Sequence, residues 1–264
     1  MVSWAKVAGV LIFNSLRFIY VHIAKCGGTS IEKALDPYLR WNDIGLGGSD
    51  LGEIMQAEYG ARFGLSKHSA ARDIVRVIGS EAWLFYYSFA TVRHPVARTA
   101  SLYNYIQGRA EECGGELEFP LEGGPKERWA WARAVTLPDA EPWTYPAMRA
   151  YLGGLSDSRP FSAFLRHPAL QADPAFAPQS LSLCGENGAL LVNRAVQLER
   201  IDAFWPEFCR QFGLPACDLP RENVSRPRHP VSARELAQCE EDCDLIRSRF
   251  AEDFRLFGYE AISQ

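Results

Sequence analysis

Residues 17–30 read RFIYVHIAKCGGTS. Arg17–Ile23 is a run of β-branched and aromatic residues, the pattern of a buried strand. Gly27-Gly28 follows and lets the chain turn tightly. From Thr29 onward Ile31, Leu35 and Leu39 recur at helical spacing, so Thr29–Leu39 is predicted as a helix. Strand, glycine turn and helix together are the opening of an α/β unit.

Outward from this stretch the pattern repeats. Ser69–Ser80 reads as a helix with Ile74, Val77 and Ile78 inward. Leu84–Val92 (LFYYSFATV) reads as a strand, and Pro95 stands where a helix begins, since proline suits the first turn. Residues 109–126, rich in Gly and Glu, read as a surface loop. Leu190–Leu198 is a third strand. Asp202 is placed to cap a helix through Phe212, which Gly213 ends. Pro215–Pro230 is a loop rich in proline and arginine. Ser232 and Glu235 form a capping box for one last helix, with a stripe through Leu236, Cys239, Cys243, Ile246, Phe250, Phe254 and Phe257. The expected architecture is α/β: a mostly parallel sheet flanked by helices on both faces. Residues 1–264 are expected to form a single domain.

The 264 residues are 47% hydrophobic and 23% charged, which excludes low-complexity disorder. With 28 basic against 32 acidic residues the formal charge is −4, so no nucleic-acid footprint is expected. Seven scattered cysteines with no C-x-x-C pair argue against a disulfide framework or zinc ribbon. The apolar run Val7–Phe13 is too short to span a membrane. A cytoplasmic protein without a stable membrane span is the expectation; oligomeric state is not legible.

Two segments have the chemistry of anion binding. In Ile23–Ser30 the glycines bring backbone N–H groups close to a ligand, and the helix that follows points its positive end there. Thr29 and Ser30 add hydroxyls, and Lys25 adds a charge. Lysine precedes the glycines, so this is not a Walker A loop. A plain strand–helix junction with a surface lysine explains the same residues. In the second segment, ATVRHPVARTASLY (90–103), Arg93 falls at the carboxyl end of a strand, where α/β sheets bind ligands. Arg98, Ser101 and Tyr105 share a helix face, a second possible phosphate clamp. An arginine paired with a carboxylate is the alternative there.

HIAKCGGTSIEKAL (22–35) followed by FATVRHPVARTASLY (89–103) resembles the sulfotransferases that use 3′-phosphoadenosine-5′-phosphosulfate (PAPS). The likeness is greatest to the carbohydrate branch that contains the heparan sulfate 2-O enzymes. It extends to Phe176–Ser180, Leu219–Ser225 and Asp253–Tyr259. The resemblance implies a P-loop-like fold and sulfuryl transfer from PAPS, without a metal, to a hydroxyl-bearing acceptor such as a saccharide. It implies a 5′-phosphosulfate loop of Lys25, Cys26, Gly27, Gly28, Thr29 and Ser30, and a 3′-phosphate site at Arg93 and Ser101. Asn223 and Ser225 would lie in a loop folding over the nucleotide.

The resemblance also implies Lys25 beside the bridging oxygen and His68 as catalytic base, with a helix-capping His68 as the alternative. Glu32 and Glu199 are weaker candidates for the base. Ala24 replaces the usual proline. Cys26 replaces the usual threonine, which removes a hydroxyl donor if that side chain touches the phosphate. Trp129, Trp131, Trp143 and Tyr145 are candidates for a sugar-stacking lid. A kinase-like phosphotransferase and a catalytically silent nucleotide-binding protein are the competing readings.

Overall fold

The computed structural model describes residues 10–47, 49–114, 146–215, 218–220, 227, 230–236 and 238–260. These residues group into two compact units. One comprises the described residues of Met1–His94, Pro178–Val224 and Glu252–Tyr259; the other comprises those of Pro95–Ala177 and Ser225–Ala251, with Glu260.

The first unit holds a five-stranded sheet. Its strands are β1 (Leu11–Phe13), β2 (Phe18–Val21), β3 (Ile44–Gly45), β4 (Tyr87–Val92) and β5 (Arg194–Gln197), in the order β3-β1-β2-β4-β5. The β2–β4 and β4–β5 pairings are parallel, with Tyr20 opposite Phe89 and Ala90 opposite Ala195. The β1–β2 and β1–β3 pairings are antiparallel. The sheet is therefore mixed rather than mostly parallel. The difference comes from β1: part of the apolar run Val7–Phe13 folds back on β2 through a short turn, with Arg17 at φ 58°.

Side chains of β2 and β4 alternate between two faces, and both faces are covered. On one, Phe18, Tyr20 and Phe89 meet Ile31 and Leu35 of α1 (Gly28–Leu35) and Phe204, Trp205 and Phe208 of a later helix (Ile201–Gln211). On the other, Ile19, Val21, Ala90 and Val92 meet Ile74 of α3 (Ala71–Ile78) and Trp83 of α4 (Ser80–Phe85). Helix α2 (Asp50–Phe63) precedes these, and its Met55 and Tyr59 pack on the same side.

The start of the strand expected at Leu84–Val92 and the place of Asp202 depart from the sequence reading. Leu84 and Phe85 belong to α4 and are 83% and 75% exposed. Gly79, at φ 88°, starts that single helical turn. Trp83 anchors it by donating its indole N–H to the Leu191 carbonyl at 3.1 Å, which turns the next two residues outward. The strand begins only at Tyr87, where pairing with Phe18 begins. Asp202 lies inside its helix rather than capping it.

The described part of the second unit is helical. Helix α5 (Pro95–Gly114) continues through residues expected to be loop. After it come α6 (Pro146–Gly154), α7 (Pro160–Arg166) and α8 (Pro168–Gln171). Tyr103 of α5 packs edge-on against Tyr151, Phe161 and Phe164, with centroids 5.1–5.3 Å apart.

Back in the first unit, α9 (Ser180–Leu183) precedes β5, and α10 is the helix Ile201–Gln211. The single last helix expected from the apolar stripe is three: α11 (Ala233–Leu236) and α12 (Glu240–Arg249) in the second unit, and α13 (Ala251–Phe257), all but its first residue in the first unit. The capping box is present, with Ser232 N–H donating to Glu235 and Glu235 N–H to Ser232 Oγ. The stripe is interrupted at Cys239, which caps α12, and at Phe250, where the backbone leaves helical geometry. Among the described residues no helix is long and apolar enough to cross a membrane.

Phe208 sits within 4.7–5.1 Å, centroid to centroid, of Phe18, Phe89 and Phe212. Phe208→Ala is expected to cost about 3–5 kcal/mol, the range for a buried aromatic removed from a packed core. Urea unfolding would measure it, and a loss below about 1 kcal/mol would contradict this packing.

Candidate functional site

The carboxyl ends of β2 and β4 lie side by side because the two strands are parallel neighbours. Each runs into one of the two anion-binding segments. Beyond β2 the chain turns through Ala24–Gly27, with Cys26 N–H bonded to Ile23 O and Ser30 N–H to Gly27 O. Lys25 takes φ 68° and Gly27 φ 80°. A non-glycine residue in this region is uncommon and worth functional scrutiny. Here the turn presents the Lys25 carbonyl to Arg93, whose Nη1 approaches it at 3.4 Å.

The two glycines have separate reasons. A Cβ on Gly27 would stand 2.6 Å from Leu198 Cδ1, at an already unfavourable φ. A Cβ on Gly28 would stand 2.1–2.4 Å from three atoms of the His22 ring. His22 is buried, and its Nδ1 lies 2.8 Å from Oε1 of the buried Glu32. Burial, then the charges of His68, Lys67 and Lys25, hold the imidazole well below its usual pKa. The neutral ring therefore donates Nδ1–H to the carboxylate, which only accepts. His22 is buried support, and Glu32 is its partner rather than a base.

Lys25 is half-buried. Its burial, with the adjacent Arg93 guanidinium, lowers the ammonium pKa to about 7. Two cationic side chains thus share the ends of adjacent strands. Thr29 and Ser30 stand half-buried in the first turn of α1. Backbone amides at a helix start, two cations and two hydroxyls make an anion-binding arrangement.

A family model described as "Sulfotransferase family" matches residues 9–260. The chain belongs to the sulfotransferase family. It is a transferase that moves sulfuryl groups. No curated protein matches the chain, and no solved structure does.

Within this sulfotransferase the Cys26 substitution has a structural reading. The thiol is fully buried and donates to Gln179 Oε1 at 3.1 Å, so the side chain points into the protein and not toward the helix start. Exchanging threonine for cysteine here leaves the backbone N–H groups of the loop in place.

His68 is exposed, with its ring centroid 5.3 Å from that of His22 in an edge-to-face arrangement. Helix α3 starts at Ala71 with Ala70 at its N-cap position, and Asp73 accepts from Ala70 N–H at 3.2 Å. Lys67 N–H donates to Gln56 Oε1 and Ser66 N–H to Ser69 Oγ, which fixes the backbone on either side of His68.

Residues past Arg93 divide differently. His94 N–H donates to Glu199 Oε1 at 2.9 Å, and Tyr259 O–H to Glu199 Oε2 at 3.1 Å, so Glu199 holds the strand end. Burial and that carboxylate raise the Tyr259 pKa. In the second unit Ser101 is half-buried on α5. Arg98, read as part of a phosphate clamp, is instead buried and donates to the carbonyls of Ala177 and Ala175 at 2.8 and 2.9 Å. Asn223 and Ser225, with the four aromatics Trp129, Trp131, Trp143 and Tyr145, lie outside the described residues.

Sequence reading passed over Gln179 and Asp253. Both stand in stretches where only resemblance was noted, and neither has a period or motif of its own. Gln179 meets partners 86 and 153 positions away. That Gln179 follows Pro178 and precedes a buried Ser180 is the sole local hint.

Gly28→Ala tests the seat of the His22 ring. It is expected to cost about 1–3 kcal/mol, the usual cost of overpacking. A melting curve unchanged from wild type would show that the ring and α1 are free to separate.

Proposed function

We propose that this sulfotransferase transfers the sulfuryl group of PAPS to a hydroxyl of a saccharide acceptor. The observation that carries the donor assignment is the Lys25–Arg93 pair: a desolvated ammonium lowered to about 7 beside a guanidinium. Such a pair is favourable when an anion lies between or over it. The fit to a phosphosulfate also draws on the glycine turn, Thr29 and Ser30. The saccharide acceptor rests on the resemblance of both motifs, and of Lys67-His68-Ser69-Ala70, to the 2-O branch. The same reading takes residues 1–264 as one sulfotransferase domain, which the match over residues 9–260 supports. A cytoplasmic setting rests on the cysteine pattern.

In this reaction the acceptor oxygen forms a bond to sulfur as the bond from sulfur to the bridging phosphate oxygen breaks. Adenosine 3′,5′-bisphosphate leaves, and the hydroxyl proton passes to a base. Lys25 and the amides at the start of α1 stabilise the charge that develops on the leaving phosphate. Arg93 holds the 3′-phosphate. His68, exposed above neutral His22, accepts the proton.

Calorimetry with adenosine 3′,5′-bisphosphate and AMP tests the donor site. The bisphosphate is expected to bind more tightly. Because free Lys25 titrates near 7 and the bound anion restores its charge, binding at pH 8 should take up roughly one proton. Affinity should fall as pH rises above 7, and Lys25→Met should abolish the uptake. Equal affinity for the two nucleotides would sink the assignment of Arg93.

For the base, His68→Ala is expected to slow turnover by about 10²–10⁴-fold while bisphosphate affinity stays unchanged. Turnover near that of the wild type would remove His68 from the mechanism.

A further inference from the structure

Gln179 stands just outside the sheet, yet its side-chain amide reaches both segments assigned to the nucleotide. Its Oε1 accepts Arg93 N–H at 2.8 Å and the Cys26 thiol at 3.1 Å. Its Nε2 donates to Arg93 O at 2.9 Å and toward Asp253 Oδ2 at 3.3 Å. Two acceptor sites and two donor sites are thus all engaged, the full capacity of a primary amide. The orientation is not interchangeable, because an amide turned over would set its NH₂ against the Arg93 N–H.

Arg93 is the first residue past β4, whose ladder to β5 ends at Val92 opposite Gln197. The Gln179 amide pairs with both backbone groups of Arg93 as a neighbouring strand would. Asp253, fully buried, holds Gln179 in turn, accepting the N–H groups of Gln179 and Ser180 at 2.8 Å each.

We propose that Gln179 is a positioning residue that locks the Arg93 strand end to the Lys25–Gly28 loop, so that one buried amide sets the preference for a nucleotide carrying both a 5′- and a 3′-phosphate. The inference rests on the nucleotide reading above. It locates that preference in a residue that does not itself touch the ligand. Without the amide, Arg93 keeps its charge but loses the fixed backbone from which its side chain reaches out.

Titrating the full chain with adenosine 3′,5′-bisphosphate and with AMP measures the preference as a ratio of affinities. Gln179→Met, similar in length and unable to form these bonds, is expected to lower the ratio about tenfold. Arg93→Ala on top of it should lower the ratio by much less than the same change does in the wild type, because both changes act on the same contact. A folded Gln179→Met chain that keeps the wild-type ratio, with only its melting temperature reduced, overturns the inference; so does a loss on adding Arg93→Ala as large as that change causes in the wild type. If Gln179→Met does not fold, Cys26→Ala and Cys26→Ser decide. Serine retains a donor to Oε1 and alanine does not, so bisphosphate affinity should drop several-fold for alanine and be restored by serine. Equal affinities in those two variants overturn the inference. A wild type without preference for the bisphosphate overturns the nucleotide reading itself, and this inference with it.

Discussion

The His22 ring occupies the space that a side chain on Gly28 would need, and the geometry of the loop depends on that contact. It joins the end of β2 to the start of α1 within six residues. The contact is held from the far side by Glu32, one helical turn further along α1. A buried carboxylate and a buried imidazole are each costly alone; hydrogen-bonded to each other they satisfy part of that cost and fix direction. The turn between them has little freedom left, which is how Lys25 comes to adopt a left-handed φ.

That rigidity supports an electrostatic arrangement that is unfavourable on its own. Lys25 is desolvated beside Arg93, and both effects lower its pKa. Nothing in folding requires two cations at adjacent strand ends. Proteins keep such a conflict where function uses it, and the surrounding structure holds it in place. Here the holding groups are neutral or acidic and lie away from the cations: the Gln179 amide, Asp253 beneath it, and Glu199 on the His94 amide. The strand end is thus fixed through its backbone, which leaves the Arg93 side chain available to turn toward a ligand.

The two units differ in how their polar groups are spent. In the second unit the buried Arg98 is absorbed by the carbonyls of Ala175 and Ala177, and Asp173 closes the turn before them by accepting from Ala175 N–H. Asp242, also buried, is taken up by Arg166 and Ser162. These contacts stabilise helices. Arg93 and Arg98, five residues apart in one motif, therefore have unlike roles, and no property of the residues themselves separates them.

The amino-acid sequence alone was enough for the α/β alternation, for strands at β2, β4 and β5, for the helices after Gly27 and Pro95, and for the Ser232–Glu235 box. Each is a local signal: an apolar run, a period, a proline or a glycine at a turn. The loop and Arg93 were legible for the same reason, as short motifs directly after strands. Only the tertiary structure decided the rest. The antiparallel β1 forms because an apolar run too short to be informative alone finds the edge of β2. Leu84 and Phe85 leave the strand because Trp83 is anchored to a carbonyl 108 positions away. The Cys26 thiol is directed inward because Gln179, 153 positions on, accepts it. Contacts of that separation leave no period or spacing in the chain; they exist only once the sheet has brought the strand ends together.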